Sequence, residues 1–175
     1  GFKNKDDDVK KENNTDEVSN TKVKREPNIT ILALTYDSEI GQLILSGEGY
    51  GGVQVNAGFS GQETTSSKIS NDEWSVVIPG KVIAGKQKLF AYLLGKEGKV
   101  LDKSSLIISG KAIERANGKT LVIVQKGDAL WNIAYQRLGL GTRYLDIVEL
   151  NRDKISNPDL IYPKQLFIIP NKLAN

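Results

Sequence analysis

The chain has 175 residues, 39% of them hydrophobic, and a formal net charge of +3. That length accommodates one or two domains. It contains no Cys and no His. This excludes disulfides, thiolate zinc sites, cysteine nucleophiles and histidine-based catalytic dyads, and leaves only paired carboxylates or a lysine base for an enzyme. Absent Cys fits an oxidising envelope space and a reducing cytosol equally. No run of about 18 apolar residues exists to cross a membrane as a helix. The chain starts at Gly1 and has no Met, so the expectation is a processed or cut fragment, with any signal or anchor lying before Gly1.

Residues 1–26, GFKNKDDDVKKENNTDEVSNTKVKRE, are dominated by charge, with Phe2, Val9, Val18 and Val23 as their apolar residues. Such a segment cannot bury enough surface to offset the entropy of ordering. It reads as a disordered charged linker, either a tether or a plain end.

Residues 27–110 change pattern. Short alternating apolar runs recur between turn signals. NITILALTY places Ile29, Ile31 and Ala33 on one face. GQLILSGEG follows a turn, GVQVNAGF alternates Val53, Val55 and Ala57, and EWSVVIPG ends in Pro-Gly. GKQKLFAYLLG and VLDKSSLIIS close the series. Six or seven regularly spaced strands without helical periodicity predict an antiparallel sandwich, with Trp74 as a core filler. Their number, length and spacing resemble bacterial immunoglobulin-like domains.

Residues 111–119, KAIERANGK, are polar and read as a linker. From 120 the periodicity changes again. TLVIVQKGD runs from a strand into a turn. Asp128 is placed to cap a helix in which Leu130, Ile133, Ala134 and Leu138 recur at helical spacing, and Gly139 stands where a left-handed C-cap belongs. Thr142 is placed to cap a second helix with Tyr144, Leu145, Ile147 and Val148 on its apolar side. QLFIIP is a final strand stopped by Pro170. The order is strand, helix, helix, strand over residues 120–172.

This region resembles the LysM (lysin motif) family. VQKGDALWNIA, VELN and NPDLIYPKQLFIIP carry the likeness, with Gly127, Asp128, Leu130, Trp131, Ile133, Asn151, Ile161, Tyr162, Pro163, Gln165 and Ile168 in matching order. Two positions depart from the family pattern. Ala129 replaces a Thr, and Lys164 replaces the Gly of a Tyr-Pro-Gly-Gln turn. A type II turn there favours Gly at positive φ, so Lys164 implies another turn type or a strained one. The expected architecture is multidomain: an all-β immunoglobulin-like sandwich followed by a small α+β LysM module.

The resemblance implies binding of glycans containing N-acetylglucosamine, either peptidoglycan or chitin-like oligomers. The family's groove lies between two loops. Carried over by position, the glycan-binding residues are Gly127, Asp128, Ala129 and Leu130 on one side, and Pro158, Asp159, Leu160 and Ile161 on the other. An N-acetyl group offers one donor, one acceptor and one methyl, so facing backbone amides and a few apolar side chains suffice. Trp131 reads as core or half-exposed with packing favoured, Tyr162 as a packing residue with a wet hydroxyl, and Asp128 as first of all a helix cap.

The positive balance sits at the C-terminal end, where residues 111–175 carry ten Lys/Arg against six Asp/Glu. A mildly cationic module is drawn to polymers bearing carboxylates and phosphates. No basic stripe interleaves with aromatics, so nucleic acid is not an expected partner. The leading expectation is a non-catalytic peptidoglycan-binding protein of the bacterial cell envelope, in the periplasm or cell wall. The sandwich would serve as a spacer or as the surface for an envelope protein partner. No catalytic residue, metal site or cofactor is assigned. The alternative is a protein-interaction or ion-sensing accessory protein whose module no longer binds glycan. A carboxylate-based hydrolase using Asp37, Glu39 or Glu48 is a third reading, and surface charge explains those residues better.

Overall fold

The computed structural model describes residues 24–79 and 82–171. The expected tether, 1–26, lies outside the described residues apart from its last three positions. Alternating burial makes the strands. In β2 (Gln42–Tyr50), Leu43 and Leu45 point inward, and in β5 (Glu73–Ile78) Trp74, Val76 and Ile78 do the same. β1 (Asn28–Asp37), β3 (Gln54–Phe59), β4 (Thr65–Lys68), β6 (Lys86–Leu94) and β7 (Val100–Ser109) complete the first seven. Every strand pairing is antiparallel. β4 has no apolar residue, only the sequence Thr-Ser-Ser-Lys at a sheet edge, which is why periodicity passes over it.

Two positions in these strands differ from the simple alternation. The pairing of β1 with β2 slips between Ile31 and Ala33. A bulge of this kind reverses which side chains face the core. Leu34, rather than Ala33, therefore joins Ile29 and Ile31 in the interior, while Ala33 is buried on the opposite side, facing Val122. Val53 lies before β3 and is exposed, unlike Val55 and Ala57. Trp74 is buried as expected, and its Nε1 donates to the Glu48 carbonyl at 2.9 Å.

The segment expected to be a linker is ordered. Ser109 caps α1 (Gly110–Arg115), its Oγ accepting from Ala112 N at 3.1 Å. Ile113 and Ala116 are buried in the core between the sheets. The N–H of Gly118 then bonds the Tyr36 carbonyl at 2.9 Å, and Asn117 Oδ1 accepts from Ser38 N at 2.8 Å. The apolar pair at i and i+3 behind a serine cap is a helix signal that the surrounding Lys, Arg and Glu mask.

The chain continues through β8 (Thr120–Ile123), α2 (Leu130–Leu138), a 3-10 turn (Gly141–Arg143), α3 (Tyr144–Leu150) and β9 (Leu166–Ile169). β8 does not begin a separate sheet. It pairs with β1, giving a five-stranded sheet ordered β5-β2-β1-β8-β9 beside a four-stranded sheet ordered β4-β3-β6-β7. The fold is thus mostly β in two sheets, with a small α/β region at the C-terminal end.

β8 and β9 are covered on both faces. Leu121, Ile123 and Ile168 point into the core between the sheets. Val122, Val124, Phe167 and Ile169 point the other way, against Leu130, Ile133, Ala134, Leu138 and Ile147 of the helices. Two-sided burial explains why these strands read as continuous apolar runs, TLVIV and LFII.

Candidate functional site

Two loops at one end of the α/β region define the site. The first turns at Gln125 to Asp128, with Gly127 at φ 86° and Asp128 N bonded to the Gln125 carbonyl at 3.0 Å. Asp128 Oδ2 accepts from Gln125 N at 2.8 Å. Asp128 therefore closes the turn and does not cap the helix. The N-cap of α2 is Ala129, extended at φ −124° and ψ 151°, and its side chain offers no hydrogen bond. The first-turn N–H groups of α2 have no i−4 carbonyl and no side-chain cap. Gly139 ends α2 in the left-handed region at φ 85°, its N–H bonding the Tyr135 carbonyl.

The second loop is an Asx turn. Asn157 Oδ1 accepts from Asp159 N at 3.0 Å, and the Asn157 carbonyl accepts from Leu160 N at 2.9 Å. Pro158 at its second position restricts the loop further. Asn151, at the end of α3, ties that helix to β9. It is 1% exposed; its Nδ2 donates to the Ile147 and Ile168 carbonyls at 2.7 Å each, and its Oδ1 accepts from Ile168 N at 2.8 Å.

Between the loops lies a hollow of about 540 Å³. Asp128, Ala129, Leu130, Pro158, Asp159 and Ile161 line it, which brings six of the eight sequence-derived site residues around one space. Gly127 and Leu160 do not line it; Gly127 shapes the turn, and Leu160 is exposed. Leu130 is almost fully buried and anchors α2 while touching the hollow's floor.

Sequence reasoning missed two wall residues, Trp131 and Tyr144. Trp131, read from the sequence as either core or half-exposed with packing favoured, is 52% exposed. Its ring stands 6.3 Å from that of Tyr144, tilted by 45°. A Cβ at Gly141 would run into the Trp131 indole, so this glycine makes the space the ring occupies. A large aromatic directly after a core leucine in the first helical turn was the available signal. The second helix also differs in detail. Thr142 lies inside the 3-10 turn and caps nothing, and Leu145 is exposed, leaving Ile147 buried with Tyr144 and Val148 half-buried. Tyr162 is exposed as well.

The Tyr162–Gln165 turn keeps the shape expected of the family pattern. Gln165 N bonds the Tyr162 carbonyl at 3.2 Å, Pro163 holds the second position, and Lys164 sits at φ 70°. That is the type II arrangement, with a lysine where glycine is unstrained.

The acidic residues considered for hydrolysis do not converge. Asp37 Oδ1 accepts from Glu39 N in the β1–β2 turn, while Glu48 stands opposite Thr30 near the far end of the hairpin, about 20 Å away along the strand. Among the described residues no group of three or more Asp or Glu is placed to hold a metal ion, and no helix is long and apolar enough to cross a membrane.

No curated protein and no solved structure matches the chain. The LysM domain family model matches residues 122–170, which run from β8 to the residue after β9. These residues, which include the two loops and the hollow between them, are a LysM domain.

Proposed function

We propose that this protein is a non-catalytic binder of peptidoglycan in the bacterial cell envelope, with residues 120–172 as the glycan anchor. LysM domains generally bind glycans containing N-acetylglucosamine. The observation that carries the reading is the hollow between residues 128–131 and 158–161, with the uncapped start of α2 on its wall. The first-turn N–H groups suit an acetamido carbonyl, and Ile161 with Leu130 suits the methyl. The exposed Trp131 beside Tyr144 offers aromatic surface to a sugar ring. One open site of this kind binds weakly, so a long polymer or several modules supply the attachment.

In the same proposal β1–β7, residues 27–110, are an immunoglobulin-like sandwich serving as spacer or as the docking surface for an envelope protein. The orders β5-β2-β1 and β4-β3-β6-β7 in two facing sheets support it.

The test is a titration of the full chain with N-acetylglucosamine oligomers, following backbone amide shifts, beside sedimentation with insoluble peptidoglycan. Saturable shifts at 128–131 and 158–161 with co-sedimentation are expected. Silence at both loops would leave the accessory-protein reading, in which the module has lost glycan binding.

A further inference from the structure

The outer face of the four-stranded sheet carries a second pocket, of about 410 Å³. We propose that it binds a phosphorylated sugar. Alternation along β6 puts Lys88, Phe90 and Tyr92 on this face, while Leu89, Ala91 and Leu93 point into the core. Register places Lys103 of β7 directly opposite Tyr92, and Ser105 opposite Phe90. Phe90 and Tyr92 form a half-buried aromatic floor, their centroids 4.9 Å apart. The third cation, Lys164, comes from the turn before β9 in the LysM domain.

Lys88, Lys103 and Lys164 line the pocket with no Asp or Glu among its lining residues. None of the three takes part in an ion pair among the described residues. Gathering like charges is unfavourable until an anion joins them. Lys164 is also the residue held at φ 70°, where glycine would be unstrained. Backbone strain of this kind persists where a side chain is needed in place.

The chemistry narrows the ligand. A phosphate monoester carries about −1.5 to −2 charges at neutral pH, which three ammonium groups match. There is no arginine fork to hold a carboxylate in bidentate fashion. An aromatic floor gives the sugar ring an apolar surface that inorganic phosphate cannot use, and Ser105, on the same face of β7 as Lys103, offers a hydroxyl to the ring hydroxyls. The pocket lies apart from the hollow between the LysM loops, and the proposal does not depend on glycan binding there.

The test uses the full chain and glucose 1-phosphate as probe, with glucose and inorganic phosphate as separate arms, read by backbone amide shifts. Glucose 1-phosphate should give saturable shifts at 88–92, 103–105 and 164 that weaken as salt rises. Inorganic phosphate should bind the same amides more weakly, and glucose should leave them unmoved. K88Q and K103Q should each weaken binding about tenfold, the loss of one charge-assisted hydrogen bond. Lys164→Gly keeps the turn and should also weaken binding. Equal shifts from glucose, equal affinity for inorganic phosphate, or unchanged affinity in the K88Q/K103Q double variant would each overturn the proposal, as would no shift at all. N-acetylglucosamine oligomers report through different amides, at 128–131 and 158–161, so failure of either reading is seen separately.

Discussion

Leu34 of β1 stands directly opposite Leu121 of β8, and both side chains are buried in the core between the two sheets. The next residue, Val122, faces the helices of the LysM domain instead. Adjacent residues on one strand thus belong to two cores, and the sheet couples them. Gln125 Nε2 reinforces the joint by donating to the Ile31 carbonyl at 3.1 Å.

Leu121→Ala should therefore destabilise the whole molecule, by about 2–5 kcal/mol. The two tryptophans report on the two cores separately, Trp74 between the sheets and Trp131 beside the helices. Within each of the Trp74→Phe and Trp131→Phe variants, denaturant unfolding followed by the remaining tryptophan and by far-UV circular dichroism should give coincident transitions. Two distinct midpoints for the two probes within one variant would show that the regions fold independently. By the same reasoning an isolated 117–175 fragment exposes Leu121, Ile123 and Ile168, and should melt well below the full chain in circular dichroism.

Asn151→Ala removes three buried hydrogen bonds and leaves Ile168 N–H and two carbonyls unpaired. The expected cost is about 2–4 kcal/mol, since unsatisfied buried groups lose their hydration without replacement. Amide hydrogen exchange should show faster opening of β9 and of the 157–161 loop. Unchanged protection at Ile168 would contradict this role.

Ala129→Thr supplies the missing side-chain cap of α2. The backbone at 129 is already extended, as an N-cap requires, so the hydroxyl can accept from a first-turn N–H without rearrangement. A gain of about 1 kcal/mol is expected. Thermal denaturation of the two proteins side by side checks it; a variant no more stable than the parent would mean these N–H groups already have partners.

Gly141→Ala puts a methyl where the Trp131 indole lies. The ring must swing away, at a cost of about 1–3 kcal/mol in stability. Tryptophan emission should shift toward red, and affinity for N-acetylglucosamine oligomers should fall about threefold to tenfold as the aromatic wall is lost. Unaltered emission and affinity would show that Trp131 contributes nothing to the hollow.

The place of the site came from the resemblance to the LysM family, and the turn residues within it were legible because loop chemistry is local. Gly127 at positive φ, Pro158 after Asn157, and Gly139 as a left-handed cap each act within a turn of their own. Asp128 shows the limit. Aspartate before an apolar helical run signals a cap, but here its carboxylate reaches back to Gln125 N and leaves capping to an alanine. Trp131 stayed open between core and half-exposed for a different reason. Helical spacing says which residues face a core, whereas the exposure of a neighbouring aromatic depends on what the next segment, here Gly141, leaves room for.

From sequence alone came the order of the elements apart from β4 and α1, and the change from strand to helical periodicity near residue 120, while the pairing of the two loops came from the resemblance to the LysM family. The first two follow from side-chain period and turn residues, which act over a few positions. Only the tertiary structure decided that β8 joins β1, that KAIER belongs to a helix packed into the core between the sheets, and that Lys164 lines one pocket with Lys88 and Lys103. A strand's edge carries the same N–H and C=O groups whatever its side chains. Which edge it finds is chosen by the faces left apolar, and in β8 and β9 both faces were.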